Sequence, residues 1–131
     1  MITLLNERQR IDLPAQLFGY QFGLRIEPTI YNMAGILSTD YHGGYWEMSQ
    51  LNNGGFFMHP ASDAPFKVSA QNGYGGSLSA QALGIVVCLY AFSNLSFGGD
   101  DFADVCAEQY HLLREYAMDH PEVRDILAAI D

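Results

Sequence analysis

Residues 45–60 read YWEMSQL, NNGG, FFMHP: two short runs of strand-favouring residues on either side of an Asn-Asn-Gly-Gly turn. No other segment restricts the fold so tightly. Asn and Gly adopt positive φ at little cost, so the pattern predicts an antiparallel hairpin over residues 43–60. Along its first strand Trp46 and Met48 share one face, while Tyr45, Glu47 and Ser49 share the other. That alternation predicts one face on a core and one partly wet. A third run, PFKVSA (Pro65–Ala70), follows a turn through ASDA and is expected to add another antiparallel strand.

The rest of the chain reads as helix. NERQRIDLPAQLFGY is expected to form a short helix or turn whose extent Pro14 limits. Pro28 suits a first helical position, and Ile30, Met33, Ala34 and Leu37 recur at helical spacing, which predicts a helix over Pro28–Ser38. From Val68 to Gly99 no residue is charged. The most apolar part, ALGIVVCLYAF (Ala82–Phe92), is eleven residues long, short of the roughly 20 that a membrane span needs. It is expected to be a buried central helix, entered through the turn QNGYGGS with Ser77 as its N-cap. A last helical pair is predicted from Asp100 to about Asp119 and from Glu122 to about Ile130, with Pro121 in the first turn of the second. The expected fold is α+β. A small antiparallel sheet of about three strands packs with the central helix and further helices, in one domain spanning 1–131.

Charge narrows the function. Six Lys and Arg against fifteen Asp and Glu give a net charge of −9. Nucleic-acid binders cluster basic residues, so direct contact with DNA or RNA is not expected, nor attraction to an anionic membrane. Cys88 and Cys106 are isolated thiols with no CxxC pair, and MITLLNERQR has no basic segment followed by a long apolar run. These features predict a reduced, cytoplasmic protein whose cysteines serve as small core hydrophobes.

Asp100, Asp104, Glu108, Glu115 and Asp119 recur at intervals of four or seven, which places them on one helical stripe. Such a stripe invites comparison with a phosphate row. A helix of about 28 Å faces about 16 charges on B-DNA of the same length, whereas the stripe carries five. A solvated face, available to a basic partner, fits better than dense DNA mimicry. NGYGGS lacks the lysine of a phosphate-binding loop and the glycine spacing of a dinucleotide fingerprint, so it reads as a tight strand-to-helix turn. His42, His59, His111 and His120 form no HxxxH or HExxH pair, although His59 and His42 flank the hairpin within reach of Glu47 or Asp40. No GxSxG elbow is present. No catalytic residue, metal or cofactor is expected. Tyr45 and Glu47 on the hairpin, with Asp100, Asp104 and Glu108 on the stripe, are the candidate partner-binding positions.

The hairpin segment DYHGGYWEMSQLNNGGFFMHP resembles the signature of the ArdB/KlcA antirestriction proteins, through Tyr41, Gly43, Gly44, Tyr45, Trp46, Leu51, Asn53, Gly54, Gly55, Phe56, Met58 and Pro60. The similarity continues through NGYGGSLSAQALGIVVCLYAFSNLSF and YHLLREYAMDHPEVRDILAAID, in order, over nearly the whole chain. Ser77 and Gln81 stand where that pattern has acidic residues, Met48 where it has an aromatic, and His59 where it has a small residue. The resemblance implies a cytoplasmic protein of a plasmid or other mobile element that protects incoming DNA from type I restriction–modification enzymes. The implied partner is the restriction complex or an associated host protein. The resemblance carries no catalytic residues, and it implies inhibition without the dense charge of DNA mimics.

Overall fold

The computed structural model describes residues 2–131 as an α+β fold with two small antiparallel sheets. In chain order the elements are β1 (Ile2–Leu4), α1 (Glu7–Phe18), a π turn (Phe22–Ile26), α2 (Glu27–Leu37), β2 (Trp46–Leu51), β3 (Phe56–Pro60), β4 (Phe66–Ser69), β5 (Gly75–Leu78), α3 (Ala80–Leu95), α4 (Asp101–Ala117) and α5 (Val123–Ile130).

The predicted hairpin is β2–β3, with Met48 opposite Met58 and Glu47 opposite His59. Its turn closes through Gly54 N–H donating to the Leu51 carbonyl at 3.1 Å, and Gly54 takes φ of 95° while neither asparagine does. The third strand of this sheet differs from expectation. It is β1, antiparallel to β2 with Leu4 opposite Ser49, and the sheet order is β1-β2-β3. The run at Pro65–Ala70 instead supplies β4 of a separate two-stranded sheet, paired with β5. QNGYGGS is therefore a hairpin turn followed by a strand, not a strand-to-helix turn. Asn72 Oδ1 accepts from Tyr74 N–H at 3.0 Å, and Gly75 and Gly76 pair with Ser69 and Val68. Ser77 accordingly lies in β5. The N-cap of α3 is Ser79, whose hydroxyl accepts from Ala82 N–H at 3.1 Å.

One face of the hairpin lies on the core; the other is covered at Ser49 and Phe57 but stays half-exposed at Glu47, as the alternation predicts. On the Trp46–Met48 face, Phe18 and Phe22 meet Phe56 edge-on, and Tyr31 and Tyr41 do the same with Trp46. On the other face α4 lies against the sheet, the Tyr116 ring stacks on Phe57, and Ser49 is buried. Asn53 Nδ2 donates to the Leu112 carbonyl at 2.9 Å and Gln109 Nε2 to the Gly54 carbonyl at 3.3 Å, so α4 also clamps the hairpin turn.

The central helix is α3. Every residue from Ala82 to Leu89 is buried, as an all-round apolar helix requires. It closes the open edge of β3. A Cβ on Gly84 would overlap the Met58 carbonyl oxygen and the His59 backbone, and the Cys88 thiol lies 3.5 Å from both Met58 N and Met58 O. The edge strand is thus covered by helix instead of a further strand.

Pro14 does not limit the first helix: it sits inside α1, buried, with a full capping box between Asn6 and Gln9 holding the N-terminus. The lost N–H is one hydrogen bond against an apolar ring placed on the core. The predicted second helix matches α2 to within one residue at each end, and the π turn runs directly into it. In α4, Asp100 is the N-cap. Pro121 precedes α5, in the turn before Glu122, where the expectation had it in the first helical turn.

Candidate functional site

The acidic positions fall where the spacing placed them. Asp100, Asp104, Glu108 and Glu115 are exposed along one side of α4 from its N-cap onward, whereas Asp119 is exposed in the turn that follows the helix. They are not equivalent. The Asp100 carboxylate accepts from Ala103 N–H at 3.0 Å and is committed to capping, and Glu115 receives Asn53 Nδ2 at 3.4 Å. Among the described residues Asp104 and Glu108 carry no such bond.

Tyr45 and Glu47 are separated, although strand periodicity puts them on one face. Tyr45 directly precedes β2, after Gly43 and Gly44 with φ of 94° and 111°, and its carbonyl accepts from Ala61 N–H at 2.9 Å. Its ring sits under the Arg10 guanidinium at 4.7 Å. Glu47 stays in β2, half-buried, 3.7 Å from His59 Nε2, while His59 Nδ1 lies 2.9 Å from the Pro60 carbonyl. A donor is needed toward that carbonyl, so in the neutral ring Nδ1 carries the proton and Nε2 faces Glu47.

Tyr45 forms one wall of a groove of about 460 Å³ between α1 and the π turn. Pro14, Phe22 and Met48 make its buried floor, and Ile11, Tyr20 and Tyr45 its exposed walls. Glu7, Arg10 and Glu27 stand on the rim. A second hollow of about 410 Å³, lined by His42, Gly43, Gly44 and Phe66, shares Tyr45. Tyr45 was legible as a candidate; Ile11 and Tyr20 were not, because their exposure depends on how α1 docks. The signal that marks them is a large apolar side chain left on the wet side of a short helix and its following turn.

A polar cluster ties the α4–α5 corner to the start of α3. Glu122 N–H donates to His120 Nδ1 at 3.0 Å, so Nε2 carries the proton and donates to Gln81 Oε1 at 2.8 Å. Burial pushes the His120 pKa below its ordinary value, with the Glu122 charge opposing. The Glu122 carboxylate accepts from Ser79 N–H at 3.0 Å and from the Ser79 hydroxyl. Gln81 is therefore a neutral acceptor matched to a neutral histidine.

Burial pushes the Cys88 thiol up to about 12 and the Cys106 thiol up to about 11, which suits core packing and not nucleophilic chemistry. Among the described residues no group of three or more His, Cys, Asp or Glu is arranged to hold a metal ion, and no helix is long and apolar enough to cross a membrane. The surface features that stand out are an aromatic groove and an acidic helix face, both suited to contact with another macromolecule.

Comparison with known proteins defines the class. The antirestriction protein family matches residues 39–131, and the chain belongs to that family. Among its relatives is the antirestriction protein KlcA of Escherichia coli, 37% identical over 98% of this chain and 93% of the relative. A second Escherichia coli KlcA is 40% identical over 82% of this chain and 76% of its own length. The fold matches a solved structure from work on KlcA and ArdB, with a TM-score of 0.92 and 36% identity, covering 100% of this chain and 94% of the other. That work describes a novel fold and antirestriction activity against type I DNA restriction systems in vivo but not in vitro.

Proposed function

We propose that the protein is an inhibitor of type I restriction–modification enzymes that protects incoming mobile-element DNA in the cytoplasm. The observation that carries this reading is the chain-long match in sequence and fold to KlcA and ArdB proteins. It acts by protein contact, without catalysis, on the restriction complex or an associated host protein. Two features support that mode. The stripe on α4 is too sparse to stand in for a phosphate row, and its first member is used as a helix cap. The relatives are described as active in vivo but not in vitro, which fits a requirement for a cellular component beyond the purified enzyme.

The test is a plating assay with unmodified phage on a host carrying a type I system, with and without the protein. Plating efficiency is expected to rise when it is expressed; unchanged restriction at good expression rejects the proposal. The alternative is a DNA mimic built on the exposed stripe, and Asp100→Asn, Asp104→Asn and Glu108→Gln together test it. Retained protection excludes mimicry, whereas loss of protection in a folded triple variant favours it. A pull-down against restriction subunits, with DNA present and absent, identifies the contacted partner.

A further inference from the structure

The groove beside α1 is more open than the fold requires. Gly23 lies within the π turn without a positive φ, and a Cβ built on it meets no atom within 4 Å. Neither packing nor backbone conformation calls for glycine there. Because Gly23 lines the groove, a side chain at this position would stand in it.

The walls present large apolar groups to solvent, with the Arg10 guanidinium over the Tyr45 ring. Ile11 is 69%, Tyr20 78% and Tyr45 63% exposed, above a buried floor that includes Phe22 and Met48. Aromatic walls over a dry floor, with charges confined to the rim, are the anatomy of a protein-docking hot spot. Arg10 is stacked on Tyr45 and the Glu27 carboxylate accepts from the Tyr31 hydroxyl at 3.0 Å, so the rim sets the carboxylates of Glu7 and Glu27 against the Arg10 guanidinium. In the first 27 residues Arg8, Arg10 and Arg25 balance Glu7, Asp12 and Glu27, so the whole net charge of −9 lies in the rest of the chain. The molecule's field draws cations, while this face adds no net charge against an apolar anchor.

We propose that the groove takes a short segment of a partner protein presenting a leucine or aromatic anchor flanked by lysine or arginine. The anchor enters between Tyr20 and Tyr45, and the cation meets Glu7 or Glu27. This rests on the reading that the protein acts by direct protein contact.

The probe is a short peptide with a central Phe-Leu pair flanked by lysines, titrated into the isotope-labelled full chain and followed by amide chemical shifts. Glutamate-flanked and Ala-Ala versions serve as comparisons. Saturable shifts are expected at Ile11, Tyr20, Gly23 and Tyr45, with both comparison peptides at least about fivefold weaker. Gly23→Leu and Tyr20→Ser are each expected to weaken the lysine peptide about tenfold. Absence of a saturable shift, shifts confined to the α4 stripe, or undiminished affinity in both folded variants overturns the proposal. Tyr20 is on the surface, so Tyr20→Ser keeps the test decisive if Gly23→Leu fails to fold. The plating assay separates this inference from the function it rests on. If the wild type protects and folded Tyr20→Ser protects equally, the groove falls and the function stands. If the wild type does not protect, the function falls and the peptide titration still decides the groove.

Discussion

Gly84 and Gly23 each interrupt a helical segment, and they do so for opposite reasons. At Gly84 the backbone of α3 is pressed against the edge of β3, and a methyl group would overlap the Met58 carbonyl and the His59 backbone. Cys88, one turn further along the same face, extends the contact with its thiol against Met58 N and O. At Gly23 a methyl group meets nothing. One glycine is a requirement of the core, and the other is a helix-weakening residue on the surface with no structural return. The contrast separates a glycine that the α3–β3 contact requires from one beside the groove that no contact requires.

The strongest way to break that contrast is Gly84→Val. The obstructing atoms, His59 Cβ and Cα and the Met58 carbonyl oxygen, are fixed by the backbone and cannot swing aside, so α3 must separate from β3 and uncover its edge. A loss of about 3 kcal/mol or more is expected in urea unfolding, up to failure to fold. A small loss would show that the α3–β3 contact is looser than the geometry indicates. Ser79→Ala tests the same helix at its N-terminus. It removes the cap to Ala82 N–H and the hydroxyl donor to Glu122, and a loss of about 1–2 kcal/mol is expected in the same measurement.

A gentler probe of that corner is pH. His120 has a folded-state pKa below its unfolded value of 6.5, chiefly because it is buried. Above 6.5 the ring is neutral in both states and its contacts with Gln81 and Glu122 N–H are intact. As pH falls through 6.5 the unfolded chain takes up a proton that the folded state resists, so stability declines, then levels off below the folded pKa. Urea midpoints between pH 7.5 and 5 should therefore fall more in the wild type than in His120→Gln. Equal slopes would show that His120 is solvated in the folded protein.

Local specification explains what could be read in the sequence. The β2–β3 hairpin, α2, α3 and the α4 stripe were legible because each is specified locally: Asn-Gly turn chemistry, Pro28 at a helix start, an uncharged apolar run, carboxylates at intervals of four. What escaped depends on contacts distant in sequence. β1 joins the sheet some 45 residues before its partner strand, and nothing in ITL distinguishes it from a loose terminus. Gly75 and Gly76 are poor strand formers, yet the pairing with Ser69 and Val68 holds them in β5. Pro14 sits within α1 because its ring is buried, a tertiary compensation for the missing hydrogen bond. For the candidate site, strand alternation marks Tyr45 through its place on the face opposite Trp46. The groove that Tyr45 walls exists only once α1 and the π turn have docked.

The smallest effect has the opposite sign and sharpens the comparison most. Gly23→Ala places a methyl group in open space within a helical turn, where alanine is intrinsically favoured over glycine by about 1 kcal/mol and also restricts the unfolded chain. If the fold alone determined this position, the variant would be more stable by roughly 0.5–1 kcal/mol and protect phage as well as the wild type. If the groove is a contact surface, the gain in stability comes with a loss of protection, because the methyl group projects where the partner's anchor must lie. Urea unfolding and phage plating on the same variant read the two quantities separately. A variant that is more stable and less active assigns Gly23 to function, whereas one that is destabilised shows that the π turn needs glycine for its own geometry.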